Sequence, residues 1–219
     1  MNVLHIQSSP RGDKSNSIAL TNAFLSASRK ILPEINEDVL NVWDERLPEF
    51  DNAAIDAKYK GVAGTAMNEA EMAVWNRIQS LAARFKRADR IVVGVPMWNF
   101  AYPYKLKQLI DLVSQRNMLF TFDGVRFGPL LKTPRAMVIY TRGQEYKEDL
   151  PTPPSRFDHQ SGYVEFWLDF IGVQEVRALA VENTWGDKAE ASMRAAREKV
   201  ATLAKDFWDV QLNASLQID

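Results

Sequence analysis

Residues 2–17 read Asn2-Val3-Leu4-His5-Ile6-Gln7-Ser8-Ser9-Pro10-Arg11-Gly12-Asp13-Lys14-Ser15-Asn16-Ser17, an apolar strand that runs straight into a polar turn. Residues 90–100 repeat the arrangement with an aromatic loop in place of the polar one: Arg90-Ile91-Val92-Val93-Gly94-Val95-Pro96-Met97-Trp98-Asn99-Phe100. In an open parallel sheet, the loops after the first and third strands meet where the winding direction reverses, and ligands bind there.

Apolar strand-like runs alternate with longer segments of helical periodicity along the whole chain, which is typical of a parallel sheet covered on both faces. The predicted strands are residues 2–6, 36–42, 90–95, 134–141 and 175–180. The predicted helices are residues 17–31, 69–87, 103–115, 162–171 and 188–210. This pattern predicts one α/β domain over residues 1–219, a flavodoxin-like three-layer sandwich with a five-stranded parallel sheet of order 2-1-3-4-5.

Helix-capping residues support three of these boundaries. Pro103 stands where a first-turn proline opens a helix, and Gly172 stands where a glycine closes one. Asp187 followed by Glu190 predicts a capping box for the last helix. Three stretches lack regular periodicity: residues 43–68 are interpreted as a crossing over the sheet, 118–131 as a short hairpin, and 146–160 as a loop of the kind that forms lids.

Composition excludes several classes of function. The chain has no cysteine and only two histidines, His5 and His159, so disulfides, a catalytic thiolate, iron–sulfur clusters and a histidine-rich or thiolate metal site are excluded, and no metal is expected. A net charge of −1 gives no electrostatic reason to expect nucleic acid or an anionic membrane as partner. No run approaches the roughly 18 apolar residues of a membrane span, and no signal peptide is recognisable, so we expect a cytoplasmic protein.

The turn after the first strand is suited to a phosphate group. The N–H groups and dipole at a helix N-terminus attract anions, and side chains here can donate hydrogen bonds without adding much charge. The candidate phosphate-binding residues are Ser9, Arg11, Ser15, Asn16 and Ser17. The chain has no dinucleotide-binding glycine fingerprint and no P-loop at this turn, which favours a terminal monophosphate. Simple capping by Ser15 or Ser17 is the ordinary alternative.

The loop after the third strand is suited to a flat aromatic ring. Trp98 and Phe100 offer apolar faces, and Asn99 offers both a donor and an acceptor for a ring edge. Pro96 stiffens the loop, and Met97 adds apolar surface. A hydrophobic plug after a buried strand is the alternative. Together with the phosphate turn, this loop predicts a flavin mononucleotide (FMN) site.

A third segment follows the fourth strand of the predicted sheet. Thr141, Arg142, Gly143 and Gln144 come together there, and Gly143 permits close approach of the backbone to a ligand. Arg142 can pair with a neighbouring carboxylate or place positive charge near a reduced flavin. An ordinary turn is an equally good interpretation of these four residues.

These segments resemble one known family, the FMN-dependent NADH-azoreductases, also called NADH:quinone oxidoreductases. The resemblance extends over nearly the whole chain, and its most specific part is the Met97–Phe100 segment with the helix after it. It rests on Ser9-Pro10-Arg11, Ser15-x-Ser17, Pro96-Met97-Trp98-Asn99-Phe100-x-x-Pro103, Leu106-Lys107-x-x-Ile110-Asp111, Gly128-Pro129 and Arg142-Gly143.

The resemblance implies a homodimer that binds FMN near the subunit interface and passes two electrons from NADH to quinones or azo compounds, with NADPH as the alternative donor. Carried over by position, Ser9 and Ser15–Ser17 hold the phosphate, residues 97–100 hold the ring system, and residues 141–144 line its other edge. We expect ping-pong hydride transfer, with the chemistry on the cofactor and no catalytic side chain. Phe120, Tyr146 and Phe157 are candidates for the acceptor pocket.

Two other classes of function remain open. A flavodoxin-type electron carrier, or a general NAD(P)H:FMN or nitro reductase, has the same fold, although this nearly neutral chain lacks the strong acidity of the carriers. An α/β protein without flavin, whose helix N-terminus binds another phosphate, is the third possibility. Turnover with a quinone distinguishes the electron carrier from the predicted enzyme. Reconstitution with FMN distinguishes the protein without flavin from both.

Overall fold

The central feature of the computed structural model, which describes residues 1–133 and 135–208, is a five-stranded parallel sheet. The strands of the chain are β1 (Asn2–Gln7), β2 (Asn36–Asn41), β3 (Arg90–Pro96), β4 (Phe120–Phe122), β5 (Phe127–Pro129), β6 (Arg135–Thr141) and β7 (Glu175–Val181). The sheet has the order β2-β1-β3-β6-β7, which confirms the predicted order, and β4 and β5 form the predicted hairpin outside it.

Helices cover both faces of the sheet, as predicted. They are α1 (Asn16–Arg29), α2 (Asn52–Ala63), α3 (Glu69–Arg87), α4 (Tyr104–Val113), α5 (Pro154–Phe157), α6 (Ser161–Ile171) and α7 (Ala189–Phe207). Alternate strand residues point to opposite faces. Val3, Val92 and Met137 therefore pack against α1 and α7, while Leu4 and Ile91 pack against α3, α4 and α6.

The strand register aligns the ends of the central strands. Gln7 pairs with Gly94, and Pro96 pairs with Thr141, so the loops after β1, β3 and β6 leave the sheet at the same edge. Gly94 allows the start of α1 to approach this edge closely. A Cβ at Gly94 would lie 3.2 Å from the carbonyl oxygen of Ser17, so a larger residue would push the helix away.

Several predicted boundaries differ from the structure. The segment 43–68 contains the helix α2, which begins after Asp51, whose side chain accepts a hydrogen bond from the N–H of Ala54 at 3.2 Å, and ends at Gly64 in the left-handed region. The predicted loop 146–160 contains the single-turn helix α5. Gly172 closes α6 with a φ of 110°, as predicted.

The predicted capping box at Asp187 is wrong. The last helix begins at Ala189, and its cap position, Lys188, makes no side-chain capping hydrogen bond. Pro103 is likewise the cap residue of α4 rather than its first helical residue. The predicted strand start at Pro134 and the predicted helix end at residues 209–210 lie outside the described residues.

Candidate functional site

A cleft of about 200 Å³ opens at the carboxyl edge of the sheet, where the loops after β1, β3, β6 and β7 meet. Its lining residues are Ser9, Arg11, Ser15, Asn16, Pro96, Met97, Trp98, Thr141, Gly143, Thr184 and Trp185. All but the last two are candidates that the sequence predicted. The remaining predicted cofactor residues, which do not line this cleft directly, are Ser17, Asn99, Phe100, Arg142 and Gln144.

The first wall of the cleft is the start of α1. Ser15 caps the helix, because its Oγ accepts a hydrogen bond from the N–H of Ile18 at 3.3 Å, so the capping alternative holds for this residue. Ser15 Oγ also lies 3.1 Å from Ser17 Oγ, and both hydroxyls are buried. The backbone N–H groups of Asn16 and Ser17 have no carbonyl partner among the described residues, as expected in a first helical turn. This wall therefore presents unpaired donors and the positive end of a helix dipole.

The second wall is a tight turn after β3 with a strained backbone. The N–H of Trp98 donates to the carbonyl of Ala101 at 2.7 Å, and the N–H of Ala101 donates back at 2.9 Å. The two residues between them, Asn99 and Phe100, have φ values of 46° and 68°. Positive φ at both central residues is typical of a type I′ turn, in which asparagine is common and phenylalanine is not. Strain of this kind persists where surrounding contacts hold it, often at binding sites.

Contacts from other segments brace this aromatic turn. The Trp98 ring lies 5.7 Å from that of Trp43, whose Nε1 donates to the carbonyl of Ser8 at 3.0 Å. The N–H of Met97 donates to the carbonyl of Thr141 at 2.9 Å and so joins the loops after β3 and β6. Trp98 is thus held in place from two sides of the cleft.

Arg142 is buried next to the cleft, and its charged group is directed at other side chains. Its Nη2 lies 2.5 Å from Asp158 Oδ2, and its Nε donates to Gln160 Oε1 at 3.0 Å. Glu182 lies 3.5 Å from Nη1, and the guanidinium stacks over the ring of Tyr146 at 5.4 Å. Of the two possibilities for this residue, pairing with a carboxylate is the one observed.

The ionisation of Asp158 and Tyr146 follows from this cluster. Burial alone would raise the pKa of Asp158, but hydrogen bonds from Ser161 and the charge of Arg142 outweigh it and lower that pKa. Burial raises the pKa of the Tyr146 phenol, with Arg142 opposing. Asp158 is therefore ionised and Tyr146 is neutral near pH 7.

The three predicted acceptor residues lie in different surroundings. Phe157 packs edge-on against Phe100, with ring centroids 5.1 Å apart, so these two meet at the rim of the cleft. Tyr146 is buried over Arg142. Phe120 belongs to an aromatic group of the hairpin and α6, with its ring 5.2 Å from that of Phe170. The structure does not bring these three side chains together.

Sequence reasoning missed three residues of the site: Trp43, Thr184 and Trp185. Thr184 accepts a hydrogen bond from Asn16 Nδ2 at its carbonyl oxygen, 3.2 Å away, and its own Oγ1 donates to the carbonyl of Arg142 at 2.8 Å. Trp185 is 79% exposed beside the cleft. Both residues follow β7, and the rule that parallel strands end at a common edge would have pointed to this loop.

A larger cavity, of about 960 Å³, lies at the opposite edge of the sheet. Among the described residues its lining includes Lys86, Asp89, Arg90 and Lys132 but no aromatic residue, so these residues offer no surface on which a flat ring could stack. Among residues 1–133 and 135–208 there is no group of three histidine, aspartate or glutamate side chains placed to hold a metal ion. No described helix is both long and apolar enough to span a membrane.

Comparisons with known proteins agree with this arrangement. A family model described as a flavodoxin-like fold matches residues 1–204. The chain is 58% identical to FMN-dependent NADH:quinone oxidoreductase 2 of Burkholderia lata, over 94% of this chain and 100% of that protein. It is 43% identical to FMN-dependent NADH:quinone oxidoreductase 2 of Pseudomonas syringae pv. tomato, over 93% and 98%. The crystal structure of azoreductase AzrA is similar with a TM-score of 0.85 and 25% identity, over 94% and 100%.

Proposed function

The chain belongs to this flavodoxin-like family, which includes FMN-dependent NADH:quinone oxidoreductases, and we propose that it is an FMN-dependent oxidoreductase. It transfers two electrons from NADH to quinones and to aromatic azo compounds. The observation that carries the proposal is the meeting of a helix N-terminus with free N–H groups and an aromatic turn in one cleft. The names of relatives with high identity over their full length support the same activity.

The chemistry of the cleft fits FMN. The unpaired N–H groups of Asn16 and Ser17 suit a phosphate, and Ser9, Arg11 and Ser15 add polar groups around them. A Cβ added at Gly143 would meet only the Cβ of Trp185, 3.8 Å away, so this position has room that a side chain would fill. Trp98 and Met97 supply apolar surface for a ring, and the strained turn at Asn99 and Phe100 forms the rim.

Bound FMN supplies the redox chemistry, because it accepts a hydride from the nicotinamide and passes two electrons to the acceptor. The residues of the cleft bind the cofactor, orient the nicotinamide and the acceptor against it, and exclude water. The described residues that line the cleft include no histidine, tyrosine, lysine or carboxylate, and the Tyr146 side chain is buried over Arg142. Protons for the acceptor come from water in this proposal.

NADH or NADPH and the acceptor use the same open side of the cleft in turn, which is a ping-pong sequence. The nicotinamide ring and the acceptor are both flat and need an apolar wall, and Phe100 and Phe157 offer one next to Trp98. Initial rates at varied NADH and varied menadione test this order, because parallel lines in a double-reciprocal plot are expected. Intersecting lines would mean that both substrates bind together.

We also propose that two copies of the chain associate through the aromatic face, defined as Phe120, Phe127, Tyr163, Phe166 and Phe170. Phe127 and Phe166 are 61% and 60% exposed, and large exposed apolar patches mark interfaces. The face continues toward the site, because Tyr163 stacks on Tyr102 at 5.3 Å, two residues after Phe100.

Analytical ultracentrifugation tests the homodimer. We expect the wild type to sediment as a dimer and Phe166→Glu to sediment as a monomer, because burying a carboxylate at an apolar interface is costly. Tyr59→Glu is the matched control, since Tyr59 is an exposed aromatic residue on α2 that is not one of the five residues of this face. A monomeric wild type would contradict the homodimer, and a dimeric Phe166→Glu variant would contradict this face.

A direct test of the function combines FMN binding with turnover. Titration with FMN should quench flavin fluorescence, and the loaded protein should oxidise NADH with menadione and with methyl red. Gly143→Val should raise the Kd for FMN at least about tenfold, because its side chain occupies the room in the cleft. Gly162→Ala is the control, because a Cβ at this position of α6 meets no atom within 4 Å, and it should leave the Kd for FMN unchanged. A folded protein that does not bind FMN would overturn the proposal, and FMN binding without NADH turnover would favour an electron carrier.

A further inference from the structure

The segment that carries Phe157 is held by one buried ionic cluster, the Arg142 cluster, which consists of Arg142, Asp158 and Gln160. Arg142, at the end of β6, is 5% exposed and bonds both other members. Gln160 is fully buried, and its Nε2 donates to the carbonyl of Val95 in β3 at 2.9 Å. The cluster therefore joins the ends of two central strands to the residues that follow α5.

Asp158 organises the chain at this point in a second way. Its Oδ1 accepts hydrogen bonds from the N–H groups of Gln160 and Ser161, at 3.0 and 2.9 Å. Its Oδ2 accepts one from Ser161 Oγ at 2.6 Å as well as the one from Arg142. A single carboxylate thus fixes the backbone between α5 and α6, and Phe157 is the residue before it.

The same segment holds the strained turn at the rim of the cleft. The N–H of His159 donates to the carbonyl of Phe100 at 3.0 Å, and the Phe157 ring packs on the Phe100 ring. Phe100 keeps a φ of 68°, which a phenylalanine does not keep without support. That support comes from Phe157 and His159, on either side of Asp158.

We propose that Arg142 and Asp158 are positioning residues for the acceptor: their ion pair holds Phe157 against Phe100 and so builds the aromatic wall on which a flat acceptor stacks. The inference rests on the proposed function, and it gives Arg142 a role other than contact with the cofactor. The guanidinium directs three nitrogens at protein partners, and Arg142 does not line the cleft. The ion pair of Arg142 and Asp158 therefore controls the aromatic wall of Phe100 and Phe157 and not the flavin site.

The experiment compares FMN-loaded wild type with Asp158→Asn, Arg142→Lys and Phe157→Ala. We expect Asp158→Asn to raise the KM for menadione about tenfold, with kcat within about twofold and the Kd for FMN unchanged. Phe157→Ala should raise the KM equally. Arg142→Lys should give a smaller rise, because lysine keeps the charge but loses the fork that reaches Gln160. Glu37→Gln, which removes a partly buried carboxylate that bonds His5 outside the cleft lining, is the matched control and should leave the KM unchanged.

Limited trypsin digestion gives a readout that does not depend on turnover. Lys147 and Arg156 are exposed in this segment, so release of the segment should speed cleavage after them. We expect about tenfold faster cleavage in Asp158→Asn and no change in Phe157→Ala, which keeps the ion pair.

The outcomes separate this inference from the function on which it rests. An unchanged KM in both Asp158→Asn and Phe157→Ala would overturn the inference, as would a loss of FMN affinity with an unchanged KM. If Asp158→Asn does not fold, the KM values of Phe157→Ala and Arg142→Lys still test the inference. Failure of the wild type to bind FMN would overturn the proposed function instead, and the digestion would still test whether the ion pair holds the segment.

Discussion

Two polar clusters in this molecule are each built around one carboxylate, and they have different consequences for the fold. The His5 cluster consists of His5, Arg29 and Glu37, and it joins β1, α1 and β2, all of them regular elements. Glu37 Oε1 lies 2.7 Å from His5 Nδ1, and His5 is fully buried. The Arg142 cluster instead joins strand ends to a loop segment at the rim of the cleft.

The difference lies in what each cluster immobilises. The elements around His5 are also held by backbone ladders and core packing, so removing the Glu37 carboxylate leaves the buried His5 ring in place without that partner, while the Arg29 side chain is 42% exposed and stays in contact with water. The segment around Asp158 lies outside the sheet, and besides the ion pair it is held by the His159 N–H, the Phe157 ring and Gln160. Local opening of this segment can therefore let water reach the charges. The carboxylate therefore supports the stability of the fold in the His5 cluster and the geometry of the cleft rim in the Arg142 cluster.

The largest expected effect on stability is at Glu37. Glu37→Gln should lower the free energy of unfolding by about 1.5 kcal/mol near pH 7, because the buried His5 ring loses a hydrogen bond to a carboxylate, while the exposed Arg29 adds little. Urea unfolding followed by circular dichroism measures it. Gln108→Ala, a half-buried polar position on α4, is a control with a smaller expected loss. An unchanged free energy would mean that the two clusters do not differ in this way.

The acid dependence of stability sharpens the same point. The hydrogen bond from His5, with the Arg29 contact adding to it against burial, lowers the pKa of Glu37 from 4.5 to about 2. A lowered pKa stabilises the fold above the unfolded value, and that contribution is lost as the pH falls from about 4.5 through about 2. Unfolding free energies of wild type should thus fall in this range more steeply than those of Glu37→Gln. Parallel curves would contradict this assignment.

A smaller effect on the free energy of unfolding is expected at the Arg142 cluster. Asp158→Asn should lower the free energy of unfolding by about 1 kcal/mol, less than Glu37→Gln, because local opening limits the cost of the unpaired Arg142. Hydrogen exchange should show the loss confined to the backbone between α5 and α6. A loss spread evenly over the central sheet would place this cluster in the same class as the first.

The smallest expected effect comes from the turn itself. Phe100→Gly relieves the strain of a positive φ, worth about 1–2 kcal/mol, but loses the Phe157 contact, worth about 0.5–1.5 kcal/mol. The unfolding free energy should change by less than about 1 kcal/mol. Phe100→Ala keeps the strain and loses the contact, so it should be about 1 kcal/mol less stable than Phe100→Gly. Equal stability of the two variants would show that the turn carries no strain.

The sequence was sufficient for the sheet order and for most of the cleft lining, because both follow from local patterns joined by a topological rule. The helix α2 escaped prediction because its buried residues, Ala54 and Ala57, are small, while Ile55, Tyr59 and Val62 face solvent. The buried side of α2 therefore carries no stripe of large apolar residues that would indicate a helix in the sequence. The misplaced cap at Asp187 shows the same limit, since a matching pair of side chains does not decide where a helix begins.

Contacts between distant segments were beyond local patterns. Trp43 braces Trp98 across the cleft, and nothing near either residue in the sequence indicates it. Arg142 had two possible roles because its partner, Asp158, follows a loop whose course depends on how α6 docks on the sheet. Such partners become visible only after the elements are assembled.

The cleft takes its lining from Ser9 near one end of the chain and from Trp185 near the other, and Asn16 bonds Thr184 across that gap. During translation, therefore, the ribosome must release all seven described strands before a complete binding site exists. Loading with FMN then follows synthesis instead of guiding it, and a nascent chain stalled before residue 184 has no complete pocket to fill.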